Sequence, residues 1–349
     1  MDLSGIAARL SPSRPAVGSE APVERPAGTA TNAQATGVER SSTPSSVAAK
    51  LAQVDGVPEK QWSVPSRGAQ LERLRDPAER FDVLVIGGGA TGAGATLEAT
   101  RRGLRTACIE AGDFASGTSS RSTKLIHGGV RYLEQAVKEL DWGLLSLVRE
   151  GLHERKAFLE MAPHLCDELR ILTPLYNRLE VPYMAAGLKM YDAIAGRSNL
   201  TGSRMVSARA IQERYPSIKR EGLRGGVEYS DGEFNDSRMN VALATTAAAH
   251  GAAVANHVEV TGLLKEGGQV CGVQVRDRLS GESWPIRAKV VVNATGPFID
   301  GIRELDDPDS QSLVVPSAGT HIVVNRELDI PEQHGLLIPK APNGSVAFI

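Results

Sequence analysis

The sequence predicts an α/β protein: an open, largely parallel sheet with helices on both faces, overlaid by a second region of α+β character. Three observations predict it. A short apolar run, Phe81 to Ile86 (FDVLVI), leads directly into GGGATG and then into a helix-like stretch, Ala93 to Arg102. A second apolar run, Arg105 to Ile109, completes a βαβ unit and ends on Glu110. From Leu175 to Gly225 the chain turns mixed and proline-punctuated before strand-like segments resume. A strand without polar alternation suits a parallel sheet covered on both faces.

Ahead of that unit, the first fifty or so residues are rich in Ala, Ser, Pro, Gly and Thr, with scattered Arg9, Arg14, Arg25 and Arg40. Such a composition cannot bury enough surface to fold alone, so residues 1–70 read as a disordered segment. The opening MDLSGIAARLSPSR also suits an organellar transit peptide, although Asp2, Glu20 and Glu24 are more acid than such segments usually carry. Both readings stand. Charge becomes dense from Glu72 to Arg80, and the ordered domain is expected to begin at Phe81.

Within the unit, Gly103 is well placed to end the first helix. Leu133 to Met161 carries apolar residues at helical spacing (Leu133, Val137, Leu140, Leu144, Val148, Leu152) and predicts one long helix or two joined, stopped by Pro163. Ala242 to His250 reads as a helix. Val254 to Leu264, Val270 to Asp277 and Lys289 to Asn293 read as strands returning to the first sheet. Residues 80–165 and 226–304 are thereby assigned to the nucleotide domain, and 166–225 and 305–349 to the overlying cap. No internal repeat is evident.

Composition excludes several functions. With 349 residues, 41% of them hydrophobic, the chain can fill one large or two medium cores. A formal charge of -2 without a basic run gives no surface for nucleic acid. Cys108, Cys166 and Cys271 are too scattered for a zinc cluster or a disulfide framework and read as buried thiols. No apolar run reaches the roughly 18 residues of a membrane span, so any membrane contact would be peripheral.

Gly87, Gly89 and Gly92 form GxGxxG between strand and helix, with Gly88 and Thr91 inside the loop. The first glycine makes the tight turn, the second lets a pyrophosphate approach the backbone, and the third lets helix pack on strand. Glu110, at the end of the next strand, would accept hydrogen bonds from ribose hydroxyls and repel a 2'-phosphate. This pattern predicts dinucleotide binding but does not separate NAD from FAD. The segment Gly117 to Tyr132, GTSSRSTKLIHGGVRY, is too polar for core. Thr118, Ser119, Ser120 and free N–H groups suit a pyrophosphate and a polar ring edge. Gly128 and Gly129 would let the chain pass close to a flat ring. A solvated loop is the alternative reading. Val290 to Ala294 is an apolar strand ending in Thr295 and Gly296, a position beside the cofactor in an open α/β sheet.

GTSSRSTKLIHGGVRYLE resembles the flavin segment of FAD-dependent glycerol-3-phosphate dehydrogenases, and FDVLVIGGGATGAG resembles the same family's opening. APHLC (162–166), GLKMYDAIAG (187–196), NDSRMNVA (235–242), GAAVANHVEV (251–260), NATGPFID (293–300) and PSAGTHIV (316–323) follow in the family's order, worded more like mitochondrial than bacterial members. The resemblance implies a Rossmann-like FAD-binding domain of the glutathione-reductase/D-amino-acid-oxidase type with an α+β substrate cap. It implies oxidation of sn-glycerol 3-phosphate at C2 to dihydroxyacetone phosphate, electrons leaving through FAD to quinone. Peripheral attachment to the mitochondrial inner membrane comes with it, less visibly in the residues themselves, and a homodimer is compatible.

Residue by residue, the resemblance implies that Arg131 and Tyr132 line the substrate pocket and that the backbone at Val258 meets the adenine. His127 and His321 are its candidates for proton transfer or for the flavin edge, His127 more for the flavin. Lys124 and Leu125 fall in the flavin segment, Lys124 toward flavin or pyrophosphate. Asp236 and Arg238 read as a structural ion pair in the cap. The family's pattern continues with a GTTD motif, further arginines and a GGK-type motif absent from this chain. The expectation is a C-terminally incomplete protein that alone binds FAD weakly and turns over poorly. A flavin oxidase for an amine or 2-hydroxy acid, and a non-catalytic flavin-binding remnant, are the competing readings.

Overall fold

Strand β1 (Phe81–Ile86) lies at the heart of a six-stranded sheet because its side chains are apolar toward both faces. Leu84 and Ile86 join one buried cluster with Ala107 and Ile109, whereas Val85 joins another with Cys108. In the computed structural model, residues 63–317, 319–322, 330–331, 333–338 and 347–348 are described. The chain divides into two units, Met1–Asp55 and Gly56–Ile349, and the described residues all belong to the second. The transit-segment expectation falls on residues outside the described ones.

The sheet's order is β7-β2-β1-β10-β9-β8. Here β2 is Thr106–Ile109, β7 Ala253–Ala255, β8 Val258–Glu266, β9 Gln269–Asp277 and β10 Ser283–Asn293. β7, β2, β1 and β10 run parallel, and β9 and β8 extend the sheet antiparallel from β10. Helix α2 (Ala90–Arg101) crosses from β1 to β2 and packs with α7 (Asp236–Ala249) on the Val85 face. Small residues at that contact, Ala93, Ala244, Ala247 and Ala248, let the helices approach closely. The strands returning from Val254 onward join this sheet as expected, except that β7 and β8 are separate. His257 takes φ 55° between them.

Helix α1 (Arg67–Arg75) covers the opposite face, so order begins before Phe81 rather than at it. Its charge density hid it in the sequence, because only Gln70, Leu71 and Leu74 turn inward. Each buried leucine stabilises by roughly 1.5–3 kcal/mol. Arg67 donates to Asp277 at 2.8 Å and to the Asn256 carbonyl at 3.0 Å, and Arg75 lies 4.7 Å over the Trp284 ring. Burial works to raise the Asp277 carboxyl, but Arg67 and donors from Leu279 and Ser280 hold it at about 2.

The cap is built on a second sheet of order β12-β11-β4-β6-β3, with β5 also paired to β6. Its strands are β3 (Leu125–Ile126), β4 (Cys166–Leu175), β5 (Arg204–Ser207), β6 (Gly225–Phe234), β11 (His334–Ile338) and β12 (Ala347–Phe348). The sequence reading did not assign β4 or β6, whose glycines and charged residues blur the pattern of two. Each nevertheless has ten residues and they pair along their whole length. Leu169, Ile171, Val227 and Tyr229 face α5 (Glu180–Ala195), and Leu172 faces Ile211 of α6 (Ala208–Arg214). The helical stretch after Gly129 is two helices, α3 (Val130–Glu139) and α4 (Trp142–Met161). Leu140 breaks it at φ 54°, and Asp141 caps α4 by accepting from the Gly143 and Leu144 N–H groups. Helix α8 (Ile299–Asp306) completes the described helices and sends Ile302 against the first core.

Candidate functional site

Three segments converge at the carboxyl end of β1. Gly87 takes φ +100°, and a Cβ there would stand 2.6 Å from the Ala294 carbonyl oxygen. A Cβ on Gly92 would stand only 1.9 Å from the Gly87 carbonyl oxygen. Only glycine lets α2 start so close to β1, which is the task expected of the third glycine. Gly89 caps α2 without a side-chain bond, and the Ala90 N–H donates to Ser119 Oγ at 2.8 Å. The loop's backbone and the positive end of α2 are thus presented together, as an anionic diphosphate requires.

Glu110 is held from two sides. Its Oε2 accepts the Gly88 N–H at 2.7 Å and its Oε1 the Gly112 N–H at 2.8 Å, which turns the carboxylate toward the loop. The Val258 N–H donates to the Glu110 carbonyl at 2.8 Å, so the start of β8 adjoins the strand end that carries this acid. The Val258 side chain itself is core, 1% exposed. Ala294 donates its N–H to the Ile86 carbonyl, Thr295 Oγ1 donates to Asn293 Oδ1, and Gly296 stands exposed at φ +58°.

Asn240 was missed. It lies on α7, 1% exposed, and its Nδ2 donates to the Gly88 carbonyl at 3.0 Å while its Oδ1 has no protein partner. It belongs to the quoted NDSRMNVA stretch, but nothing local shows that its amide turns to a loop 152 residues away. The residues present therefore fit a dinucleotide: close-approach glycines, a helix N-terminus, an oriented carboxylate and a buried amide fixing the loop.

The flavin-type segment leaves this centre along a short 3-10 turn, Thr118–Ser120. Thr118 is exposed, and Ser120 Oγ donates to the Gly117 carbonyl at 3.3 Å. Lys124, at φ 61°, places its Nζ 2.8 Å from Asp236 Oδ1. Ser122 Oγ donates to Asp236 Oδ2 at 2.8 Å. Burial works to raise the Asp236 carboxyl, but Lys124 and the Ser122 donors hold it below its ordinary range. This corrects the expected Asp236–Arg238 pair. Residues two apart on a helix face different ways, and Arg238 is exposed. Leu125 then pairs with Glu233 across β3 and β6.

Gly128 donates its N–H to the Tyr191 hydroxyl at 2.9 Å, and a Cβ there would meet Leu152 Cγ at 2.6 Å. Gly129, at φ +76°, turns the chain into α3 and donates its N–H to His127 Nδ1 at 3.1 Å. His127 and Tyr132 line a cavity of about 1560 Å³, together with Thr173, Tyr183, Tyr229 and Asp231. Arg131 stands in the first turn of α3, its side chain outside the described atoms. His321 is exposed in an irregular stretch and is not among the described residues lining that cavity. The expected residues thus gather at two adjoining places, the glycine loop and the cavity wall, with His321 apart.

A glycine loop between parallel strand and helix, an oriented acid at the end of the next strand and a capping sheet define a dinucleotide-binding oxidoreductase. The sequence profile of the family described as FAD dependent oxidoreductase matches residues 82–348, and the chain belongs to that family, whose cofactor is FAD. It is 49% identical over 255 residues to the mitochondrial glycerol-3-phosphate dehydrogenase of Bos taurus, covering 71% of this chain and 35% of that protein. It is 52% identical over 260 residues to a mitochondrial glycerol-3-phosphate dehydrogenase of Arabidopsis thaliana, covering 72% of this chain and 41% of that one. Both alignments thus span well under half of the relative's length. Among solved structures, the glycerol-3-phosphate dehydrogenase from Bacillus halodurans complexed with FAD superposes with a TM-score of 0.59 at 29% identity, over 82% of this chain and 48% of that one.

Proposed function

We propose that this chain carries the FAD-binding and part of the substrate-binding apparatus of a glycerol-3-phosphate dehydrogenase, oxidising sn-glycerol 3-phosphate at C2 to dihydroxyacetone phosphate. The observation that carries the reading is the continuity from the glycine loop through the Gly117–Tyr132 segment to the cavity wall, in a chain about half identical to dehydrogenases of that name. FAD supplies the acceptor for the hydride that leaves C2.

The protein's own residues do the rest. Gly87, Gly88, Gly89, Thr91 and Gly92 hold the pyrophosphate with Ser119, while Glu110 takes the ribose hydroxyls. Thr118, Ser120, Leu125, Gly128 and Gly129 would border the ring system, as the family resemblance implies, and Ala294, Thr295 and Gly296, just past β10, would close it. Val258 borders the adenine through its backbone. Lys124, already paired with Asp236, acts by fixing the segment's course rather than as a free cation. Arg131 would bind the substrate's dianionic phosphate, for which a planar guanidinium is suited. Tyr132 and His127 face the cavity and orient the substrate's hydroxyls, and of the two candidate imidazoles His127, on the cavity wall, is the one placed to take the C2 hydroxyl proton, His321 not lining it.

Quinone as the final acceptor, a homodimer and the periphery of the mitochondrial inner membrane complete the proposal. No helix among the described residues is long and apolar enough to cross a membrane. The test is anaerobic reduction of the FAD-loaded protein, followed by loss of the flavin's visible absorbance. Glycerol 3-phosphate should bleach it and glycerol should not. Bleaching by an amine or a 2-hydroxy acid, with glycerol 3-phosphate inert, would refute the reading.

A further inference from the structure

Beneath the His127–Gly129 segment runs a buried polar chain that the reaction scheme does not use. Arg155 of α4 is fully buried, and its NH1 donates to Asp231 Oδ1 at 2.6 Å and to the Ser230 carbonyl at 3.0 Å. Tyr191 of α5, 1% exposed, bridges onward: its hydroxyl donates to the same Oδ1 at 3.2 Å and accepts the Gly128 N–H at 2.9 Å. A hydroxyl has one proton to give, so the direction of each bond is fixed once Asp231 is charged. Burial works to raise the Asp231 carboxyl, and Arg155 opposes it. Burial likewise pushes the Tyr191 hydroxyl well up, so it stays a donor.

Packing holds the same peptide from the side. A Cβ on Gly128 would lie 3.0 Å from the Tyr191 hydroxyl, and one on Gly151 would lie 3.2 Å from the Gly128 Cα. The Gly129 N–H is taken by His127 Nδ1, so the two successive amides fix the segment below and the imidazole above. A buried ion pair is a poor source of stability but a good way to specify one geometry, and here the geometry specified is that of the cavity wall.

We propose that Tyr191, held by the Arg155–Asp231 pair, is a positioning residue that sets the His127–Gly129 segment against the flavin. The proposal rests on the reading of that segment as a flavin contact. The experiment compares the FAD-loaded full chain with Tyr191→Phe and His127→Ala, reading the visible absorbance and circular dichroism of the bound flavin, its dissociation constant and thermal unfolding. Tyr191→Phe should shift the flavin bands and weaken FAD about two- to tenfold, the worth of one hydrogen bond, with His127→Ala shifting the bands as well. A Tyr191→Phe protein that is merely less heat-stable, with bands and affinity unchanged while His127→Ala alters them, overturns the proposal and leaves the segment's role intact. If neither variant moves the bands, the segment reading falls and the proposal with it. Should Tyr191→Phe fail to load FAD, amide hydrogen exchange over the peptide containing Gly128 decides: faster exchange supports the proposal, unchanged exchange overturns it.

Discussion

Replacing Gly92 with alanine tests the glycine loop most directly. The added Cβ would stand 1.9 Å from the Gly87 carbonyl oxygen, about 1.5 Å inside ordinary contact, and the obstacle is backbone that no rotamer change can relieve. Helix α2 must therefore move away from β1, taking with it the N–H groups that would face the pyrophosphate. Overpacking of this kind costs about 3 kcal/mol, a fall in melting temperature of roughly 6–12 °C for a domain of this size. Losing one charge-assisted hydrogen bond to a phosphate oxygen costs about 1.5–3 kcal/mol, so FAD should bind at least about tenfold more weakly. The assay is FAD titration of the apoprotein by fluorescence quenching, paired with thermal unfolding. Gly94→Ala is the control, because a Cβ there meets nothing within 4 Å and should stabilise the helix by about 0.5–1 kcal/mol. A Gly92→Ala protein with unchanged FAD affinity and melting temperature would refute the reasoning.

Other perturbations have equally definite outcomes. Glu110→Gln keeps the shape but replaces one of the two acceptor oxygens with an amide NH2, so either the Gly88 or the Gly112 N–H loses its acceptor and FAD affinity should fall about tenfold in the same titration. Asn240→Ala strips the Gly88 carbonyl of its buried donor and should cost about 1–3 kcal/mol in urea denaturation, with an unchanged midpoint counting against it. Asp277 has its folded value lowered to about 2, so its contribution is fully present above the ordinary carboxylate value of about 4 and lost as pH falls toward 2. Arg67→Ala should flatten that part of the stability-against-pH curve, and an unaltered acid limb would show that the pair does not carry it.

What could be read from the sequence was the part governed by neighbouring residues. Phe81–Ile86, its glycine turn, α2 and the Glu110 strand end depend on interactions within thirty residues, and each formed close to the expected bounds. The break at Leu140 was open because apolar spacing alone runs through it, and only the Asp141 cap and a left-handed residue reveal two helices. Features set by distant partners stayed hidden. Lys124 and Asp236 are 112 residues apart, Asn240 and Gly88 152, and no periodicity reports such meetings. Arg155 looks like any charged helix residue until the fold buries it against Asp231. Helix α1 was passed over for the converse reason: five of the six residues outside the inward three are charged or glycine, and its docking relies on Arg67 reaching a strand end 210 residues on.

The parallel pairing of β1 with β10 carries a consequence for biosynthesis. Phe81 finds its neighbour at Ala288, so the cap strands β3 to β6 are translated between two strands that lie side by side. At about 5–20 residues per second, the nascent β1 waits roughly 10–40 s for that neighbour. Throughout that interval one edge of an apolar strand is open to any other chain emerging nearby. Yield in a cell should therefore depend more on holdase chaperones and on translation speed through the cap than on the stability of the finished sheet.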